Sequence, residues 1–478
     1  MVSSFSRNVV SMVMPQFAQM LSRRLLGLVF SLCAGLASAQ GTTSPTLTKS
    51  QAHQALSYAL KTNQADAAYR LAMGLLNHDP TDPAAHYALA LIFTGAGDTK
   101  AARKASRAAF RFSRTDLQSY SSANLSARLA VKDERFTQAQ YWLRRAHTNA
   151  PGQVQRNAAV QSFRQVRARN PLKFKLSGSI SPSSNVNNGS LSRNMIIDGV
   201  PAIGVNVGDA MALSGIEAML NAAVSYRISE NESSETRLVG RVFTRHVTLS
   251  DDAKNLAPAA SGSDYAFTVL EGGVRHAFRL KPKGAIWSLG GVVGKTWYGG
   301  DPLHDLFRLE GGWGWSPAKG RRLSFKAINE WRRPDNAPDT RDIYSSLGAS
   351  YSHTLQSGNR LTTALSLSQT DDANPVFSSQ GAVAQIGYSF GRAFGPVKLS
   401  TSFKVGVSDY PDYRVGFITV PGGRKDTSVA GEFELMFHKM HYAGFAPTMT
   451  FRALRTDSNV SRFETEQLSL TFGIRSSF

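Results

Sequence analysis

From residue 172 to residue 478 side-chain polarity alternates with a two-residue period, and this pattern constrains the fold more than any other feature of the chain. In VKLSTSFKVGV, Val397, Leu399, Thr401, Phe403, Val405 and Val407 share one side of an extended strand; Lys398, Ser400, Ser402, Lys404 and Gly406 share the other. In VAGEFELMFH, Val429, Gly431, Phe433, Leu435 and Phe437 oppose Glu432, Glu434 and His438. In EQLSLTFGIRSSF, Leu468, Leu470, Phe472 and Ile474 form an apolar face and Phe478 closes the sequence. A soluble β-sandwich alternates too, so the connections decide. About 14 strands can be read, an even number. The short links PKGA, AKGR, QSGN and RAFGP alternate with longer segments at 182–215, 250–263, 334–340, 371–380, 409–426 and 455–464. Short turns on one side and long loops on the other predict a transmembrane antiparallel β-barrel over 171–478, since only closure satisfies every backbone group within lipid. Trp287, Trp297, Trp313, Trp315 and Trp331 fall near strand ends, where an aromatic girdle meets lipid headgroups.

The other end of the sequence agrees with an envelope location. Residues 1–39 hold Arg7, Arg23, Arg24 and no acid, then the apolar run Leu25 to Phe30, then Ala37-Ser38-Ala39. This reads as a secretory signal peptide cleaved after Ala39. Cys33, the one cysteine, leaves with it, which removes disulfide and thiol chemistry from the mature chain.

Between these segments the composition turns to Ala, Leu, Arg and Gln, and it repeats. Ala68, Ala72 and Pro80 stand 34 residues before Ala102, Ser106 and Arg114. Asn63-Gln64 matches the turn Gly97-Asp98, and Ala139, Leu143, Ala146 and Pro151 form a third copy after a short insertion. A 34-residue helix-turn-helix period with small residues at helix crossings is the tetratricopeptide (TPR) pattern. It predicts a helical module over 40–153, a linker helix over 154–170, and Pro171 as the stop before the first strand. Such stacks leave a concave groove that binds protein segments. The TPR register places Tyr87, Leu91, Asn124 and Arg128 on its inner helices as client-binding candidates.

Charge is concentrated in this module. The chain carries +20 overall, and residues 40–170 hold 18 Lys and Arg against 7 Asp and Glu. Arg103, Lys104, Arg107, Arg111 and Arg114 form a basic patch; five cations in so short a stretch are expected to spread around the helix rather than share one face. A basic surface suits an acidic client or anionic lipid, and the signal peptide argues against nucleic acid. Chemistry has little support. His304 with Asp305, and Asp371-Asp372, read as loop residues; His438 and His441 flank a turn; no metal-ligand spacing and no phosphate-binding loop occurs. The chain is expected to be no enzyme and to need no cofactor or metal.

This plan resembles the surface lipoprotein assembly modulators (Slam): signal peptide, periplasmic TPR array, then a 14-stranded barrel. FKLSGSISPSSNVNNGS, with the loop motif Asn185, Asn187 and Asn188, is similar to that family's entry into its barrel. The Gly473 to Phe478 ending resembles the signal read by the barrel assembly machinery, with Ser476 where that signal carries an aromatic. The resemblance implies an outer-membrane translocator that delivers surface lipoproteins, or soluble secreted proteins such as haem- or metal-acquisition proteins, to the cell surface. Its implied partners are that client, outer-membrane lipid, the barrel assembly machinery and periplasmic chaperones. Polysaccharide export through a TPR-barrel exporter, and a passive porin, are the alternatives.

Overall fold

The computed structural model describes residues 47–416, 418–440 and 445–476; the expected signal peptide, His441 and Phe478 lie outside them. Among the described residues seven helices come first: α1 (Lys49–Lys61), α2 (Ala65–His78), α3 (Pro83–Gly95), α4 (Thr99–Arg111), α5 (Asp116–Lys132), α6 (Phe136–Thr148) and α7 (Gln153–Arg169). Their starts are written in the sequence. Asp82 caps α3 by accepting from the backbone N–H groups of Ala84 and Ala85, with Pro83 at the first helical position. Asp98 and Thr115 cap α4 and α5 in the same way. The turns repeat as well. Asn63, Gly97 and Glu134 all adopt left-handed backbone (φ 57°, 82° and 56°) at equivalent points between paired helices. The insertion that breaks the 34-residue period lies in α5, which runs 17 residues where α3 and α4 run 13.

The equivalent small residues are the packing points. Ala68, Ala72, Ala102, Ser106, Ala139 and Ala146 are fully buried. Ser126 on α5 donates to Ser106 on α4 at 2.9 Å inside that interface, so two hydroxyls satisfy each other where the helices approach too closely for larger side chains. The linker reading of 154–170 needs correction in one respect. α7 is not a free tether, because its Ala159, Phe163 and Val166 pack on Ala139, Trp142, Leu143 and Ala146 and close the helical stack.

The barrel strands are β1 (Leu172–Ser183), β2 (Gly215–Glu230), β3 (Ser234–Leu249), β4 (Phe267–Arg279), β5 (Ile286–Tyr298), β6 (Asp301–Trp315), β7 (Arg321–Pro334), β8 (Asp342–Thr354), β9 (Arg360–Asp371), β10 (Ser379–Ser389), β11 (Lys398–Tyr410), β12 (Arg424–Met436), β13 (Phe445–Ser458) and β14 (Thr465–Ser476). Neighbours in sequence are neighbours in space, all antiparallel, and β14 meets β1 to close the wall. The connection that the expected long segments did not include is a tight one: β5 turns into β6 through Gly299-Gly300 alone, both at positive φ (63° and 95°), a two-residue hairpin that glycine allows. His304 and Asp305 therefore sit on a strand and not in a loop.

The register assigns the faces. Leu470, Phe451, Phe433 and Thr401 line up across β14, β13, β12 and β11 on the outer side, where Phe433, Phe451, Leu468, Phe472 and Ile474 are exposed. Trp287, Trp313, Trp315 and Phe325 cluster on the outer wall at one end, Trp287 and Trp313 edge to face at 6.4 Å. Phe307 and Trp331 stack at 5.4 Å towards the other end. Two aromatic bands with an aliphatic zone between them match a bilayer's two interfaces. Both barrel ends, at Leu172 and Ser476, fall on the same side, which in such barrels is periplasmic.

Candidate functional site

Three features are positioned to do work: the helical groove with its join to the barrel, the lumen wall, and the cap over the far mouth. Tyr87 and Leu91 sit one turn apart on α3, and Asn124 and Arg128 one turn apart on α5; Tyr87, Leu91 and Asn124 are half-buried and Arg128 is exposed. Burial raises the Tyr87 hydroxyl above its usual range and the nearby Arg128 charge opposes the rise, so these two share one environment. Asn124 spends its amide on the Tyr120 carbonyl at 3.1 Å.

The basic patch differs from expectation. Lys100, Lys104, Arg107 and Arg111 follow at intervals of four, three and four residues, which keeps them on one helix face about 16 Å long rather than spread around it. They line a groove of about 690 Å³ together with Arg103 and Phe112. Arg103 is tied to Asp133 at 2.8 Å, and Arg114, beyond the helix end, to Asp79 at 3.2 Å. Among the described residues no acid lies within salt-bridge reach of Lys100, Lys104, Arg107 or Arg111. A polyglutamate peptide is expected to bind this stripe and to be released by salt, as the Debye length falls from about 10 Å at 0.1 M to 3 Å at 1 M. A Lys104→Gln/Arg107→Gln/Arg111→Gln variant should lose that binding while its thermal unfolding stays unchanged, read by fluorescence anisotropy and calorimetry.

The module is fastened to the barrel, with which it forms one compact unit from Ala55 onward. Arg227 on β2 donates to the carbonyls of Ala168 and Arg169 at 3.2 and 2.9 Å, satisfying the free C-terminal carbonyls of α7 with a cation. Arg237 on β3 donates to the Pro171 carbonyl at 3.2 Å. On the opposite side Arg144 of α6 lies between the rings of Phe163 on α7 and Phe445 on β13, at 5.3 and 5.1 Å. Burial and the neighbouring Arg167 charge together lower the Arg144 guanidinium from its ordinary range.

Inside the barrel, Arg308 on β6 bonds Glu271, Glu310 and Glu330 at 2.8 to 2.9 Å. Arg332 joins Glu330 at 2.6 Å, Arg275 joins Glu310 at 2.7 Å, and Arg241 and Lys326 lie 3.6 and 3.9 Å from Glu271 and Glu310. Five cations thus share three carboxylates along the lumen side of β3 to β7. The far wall carries Glu434 bidentate to Arg475, both bonds 2.6 Å, and Glu432 beside Lys404 and Arg452. The lumen is polar and leans basic. His304 faces it by the same alternation, while its neighbour Asp305 faces outward to Lys295 and Arg333, so the two point to opposite sides of the wall and form no dyad. Asp372 accepts from the Asn374 backbone in a turn. Among the described residues no group of three His, Cys, Asp or Glu could hold a metal.

The loop motif folds into the barrel mouth. Gln467, on the lumen side of β14, donates to the carbonyl of Asn185 at 2.8 Å, and Val186 packs against lumen-facing Val247 with Leu213, Leu249 and Tyr265. Asn185 binds both the N–H and the carbonyl of Gly189, at 2.9 Å each, while its amide also reaches the Glu466 carbonyl at 3.3 Å. Asn187 donates to the carbonyls of Asp209 and Met211 at 2.7 and 2.8 Å and accepts from Leu213. Asn188 is exposed and contributes left-handed backbone (φ 53°). A side chain at Gly189 would strike the Met211 carbonyl at 2.0 Å. Ser461, in the loop before β14, bonds Asn194 and Ile196 of the same cap at 2.7 and 2.8 Å. Arg424 stacks on Phe463 at 3.3 Å and Tyr410 at 4.1 Å. The ties of Asn185 to Glu466 and Gln467, and of Ser461 to Asn194 and Ile196, were hidden in the sequence because those partners lie more than 250 residues apart. Asn185→Ala strips partners from Gly189 and Glu466 inside a buried turn, at a cost of about 1–3 kcal/mol; it is expected to make the 190–210 segment protease-sensitive in reconstituted protein, with the barrel left intact.

A closed wall, apolar outside and polar inside, is the construction of outer-membrane β-barrels. The chain is an outer-membrane β-barrel of that class, preceded by a helical-repeat module. Comparisons with known proteins go no further than this. No protein-family model matches the chain, and no curated protein does. Among solved structures, the outer-membrane expressed OmpT of Vibrio cholerae is 9% identical, matching 64% of this chain and 98% of its own with a TM-score of 0.32. A bacterial polysaccharide outer membrane secretin is 9% identical, over 63% and 98%, at 0.32. The type III secretion translocator chaperone SycD of Yersinia enterocolitica is 12% identical over 28% of this chain and 94% of its own, at 0.23.

Proposed function

We propose that this chain is a translocator that receives client polypeptides on the periplasmic side and delivers them to the cell surface, on the plan of the Slam family. The observation that supports this reading most is the join itself. A passive pore needs no accessory module, yet here a helical-repeat stack, an architecture suited to binding protein segments, is clamped to the barrel through Arg144, Arg227 and Arg237. Tyr87, Leu91, Asn124 and Arg128 are the proposed client contacts, and the α4 stripe supplies long-range attraction for an acidic client. The lumen and its cap would guide and gate passage, without bond-making chemistry and without a cofactor. Outer-membrane lipid and the barrel assembly machinery are the further proposed partners, with periplasmic chaperones for the client.

The basic lean of the lumen also suits an anionic polysaccharide, so the experiment must separate the two cargoes. Cells carrying the chain are compared with cells carrying a variant lacking residues 40–170, with antibody labelling of candidate secreted proteins or lipoproteins and lectin labelling of surface polymer. Loss of protein display with unchanged polymer supports the proposal. Loss of polymer alone replaces it with export, and full protein display by the variant removes the module from the mechanism.

A further inference from the structure

The wall is not uniformly closed. Thirteen of the fourteen neighbouring strand pairs run in register over ten to fifteen residue pairs each. The pair that shuts the barrel, β1 with β14, is in register at just Ser179–Gly473, Ile180–Phe472 and Ser183–Ser469, with the Ser181 and Thr471 hydroxyls 2.9 Å apart and the Ser184 N–H donating to the Leu468 carbonyl at 3.0 Å in the same upper half. Pro182, which has no N–H to give, lies within that stretch. Among the described residues no β1–β14 pair follows below Ser179, although Ile474, Arg475 and Ser476 continue β14 on its other side by pairing with β13. Phe174, Lys175, Leu176 and Ser177 are all exposed. Arg475, which could have reached across the gap, is drawn the other way by its two bonds to Glu434 on β12.

An unpaired strand edge at a membrane is costly, because lipid offers its N–H and C=O groups nothing. We propose that the periplasmic half of the β1 edge, Leu172 to Gly178, is a binding site for an extended polypeptide segment, which adds to β1 as a strand through backbone hydrogen bonds. The side chains specify its pattern. Phe174 and Leu176 face lipid, and Lys173 and Lys175 face the lumen with no acid within 4 Å of either among the described residues; the fitting segment therefore alternates apolar and acidic residues. This rests on the translocation reading only for where such a segment would come from; the edge itself can be tested without any client.

The full-length protein in phosphatidylethanolamine–phosphatidylglycerol nanodiscs, in a Cys33→Ser background, carries p-benzoylphenylalanine at position 177 or, as a control with strands on both flanks, at position 225. It is illuminated with an eight-residue peptide alternating Val and Glu, or with one alternating Val and Lys. Two Lys–Glu pairs across strands predict about tenfold more crosslinking of the Glu peptide than of the Lys peptide at 177, and almost none at 225. Equal yields for both peptides, or at both positions, overturn the proposal. A second measurement holds if the photoprobe disturbs folding. Ser181→Cys/Thr471→Cys, whose hydroxyls lie 2.9 Å apart, should oxidise readily. Gly178→Cys/Ile474→Cys should not, although position 178 has room for a side chain. Complete oxidation of the 178–474 pair in peptide-free protein would mean the edge is already zipped.

Discussion

Leu470→Arg is expected to abolish most of the heat-modifiable barrel in the outer membrane, whereas Ser469→Arg, one residue away, is expected to leave it near the level of the unsubstituted protein. Leu470 lies midway along β14 on the lipid side, in line with Phe451, and Ser469 lies on the lumen side, in line with Arg452. A cation at mid-bilayer costs about 2–4 kcal/mol, falling towards zero at the interfaces. Applied to a barrel whose β14 must also hold the weakest seam, that cost is enough to shift assembly by one to nearly three orders of magnitude. The Ser469 substitution places the same charge beside Gln467 and Thr471 in water. Membrane fractionation followed by electrophoresis with and without heating reads both. Equal loss from the two substitutions would mean that the strand does not present these faces.

Excising residues 190–210 and joining Gly189 to Met211 through two glycines is expected to raise single-channel conductance in planar bilayers several-fold. The two ends already touch, the Met211 carbonyl lying where a side chain on Gly189 would be, so the cut leaves the barrel's own ladder unaltered. What is removed is the segment that Asn187, Asn206 and Ser461 hold across the mouth. The milder Asn185→Ala should produce frequent brief openings of the same amplitude, since it loosens the segment without deleting it. An unchanged conductance in the excised protein would place the constriction deeper, at the Arg308 network.

The wall was legible because alternation is a local property: each strand states its own two faces, and the inner and outer residues of β11, β12 and β14 can be read off directly. The repeat module was legible for a similar reason, its small residues recurring at a fixed spacing. Misreadings arose where a local pattern had two outcomes. GGDPLH looks like a loop, yet two glycines at positive φ make a hairpin so tight that Asp301 already belongs to a strand. The cations of α4 seemed too many for one face; the count had taken in Arg114, beyond the helix, and missed Lys100, which completes the stripe. The cap, the Arg308 network and the incomplete seam were not legible at all. The cap and the seam depend on which distant residues close the ring, and the Arg308 network on the exact register of neighbouring strands; no window of sequence carries that information.

The fastening of the helical module has a mechanical consequence. Arg227 holds α7 from β2, and Arg144 holds α6 and α7 against β13; these are the two strands that border β1 and β14. A pull on the helices, such as a bound chain would exert, is therefore delivered to the shoulders of the one joint in the wall that is only partly stitched.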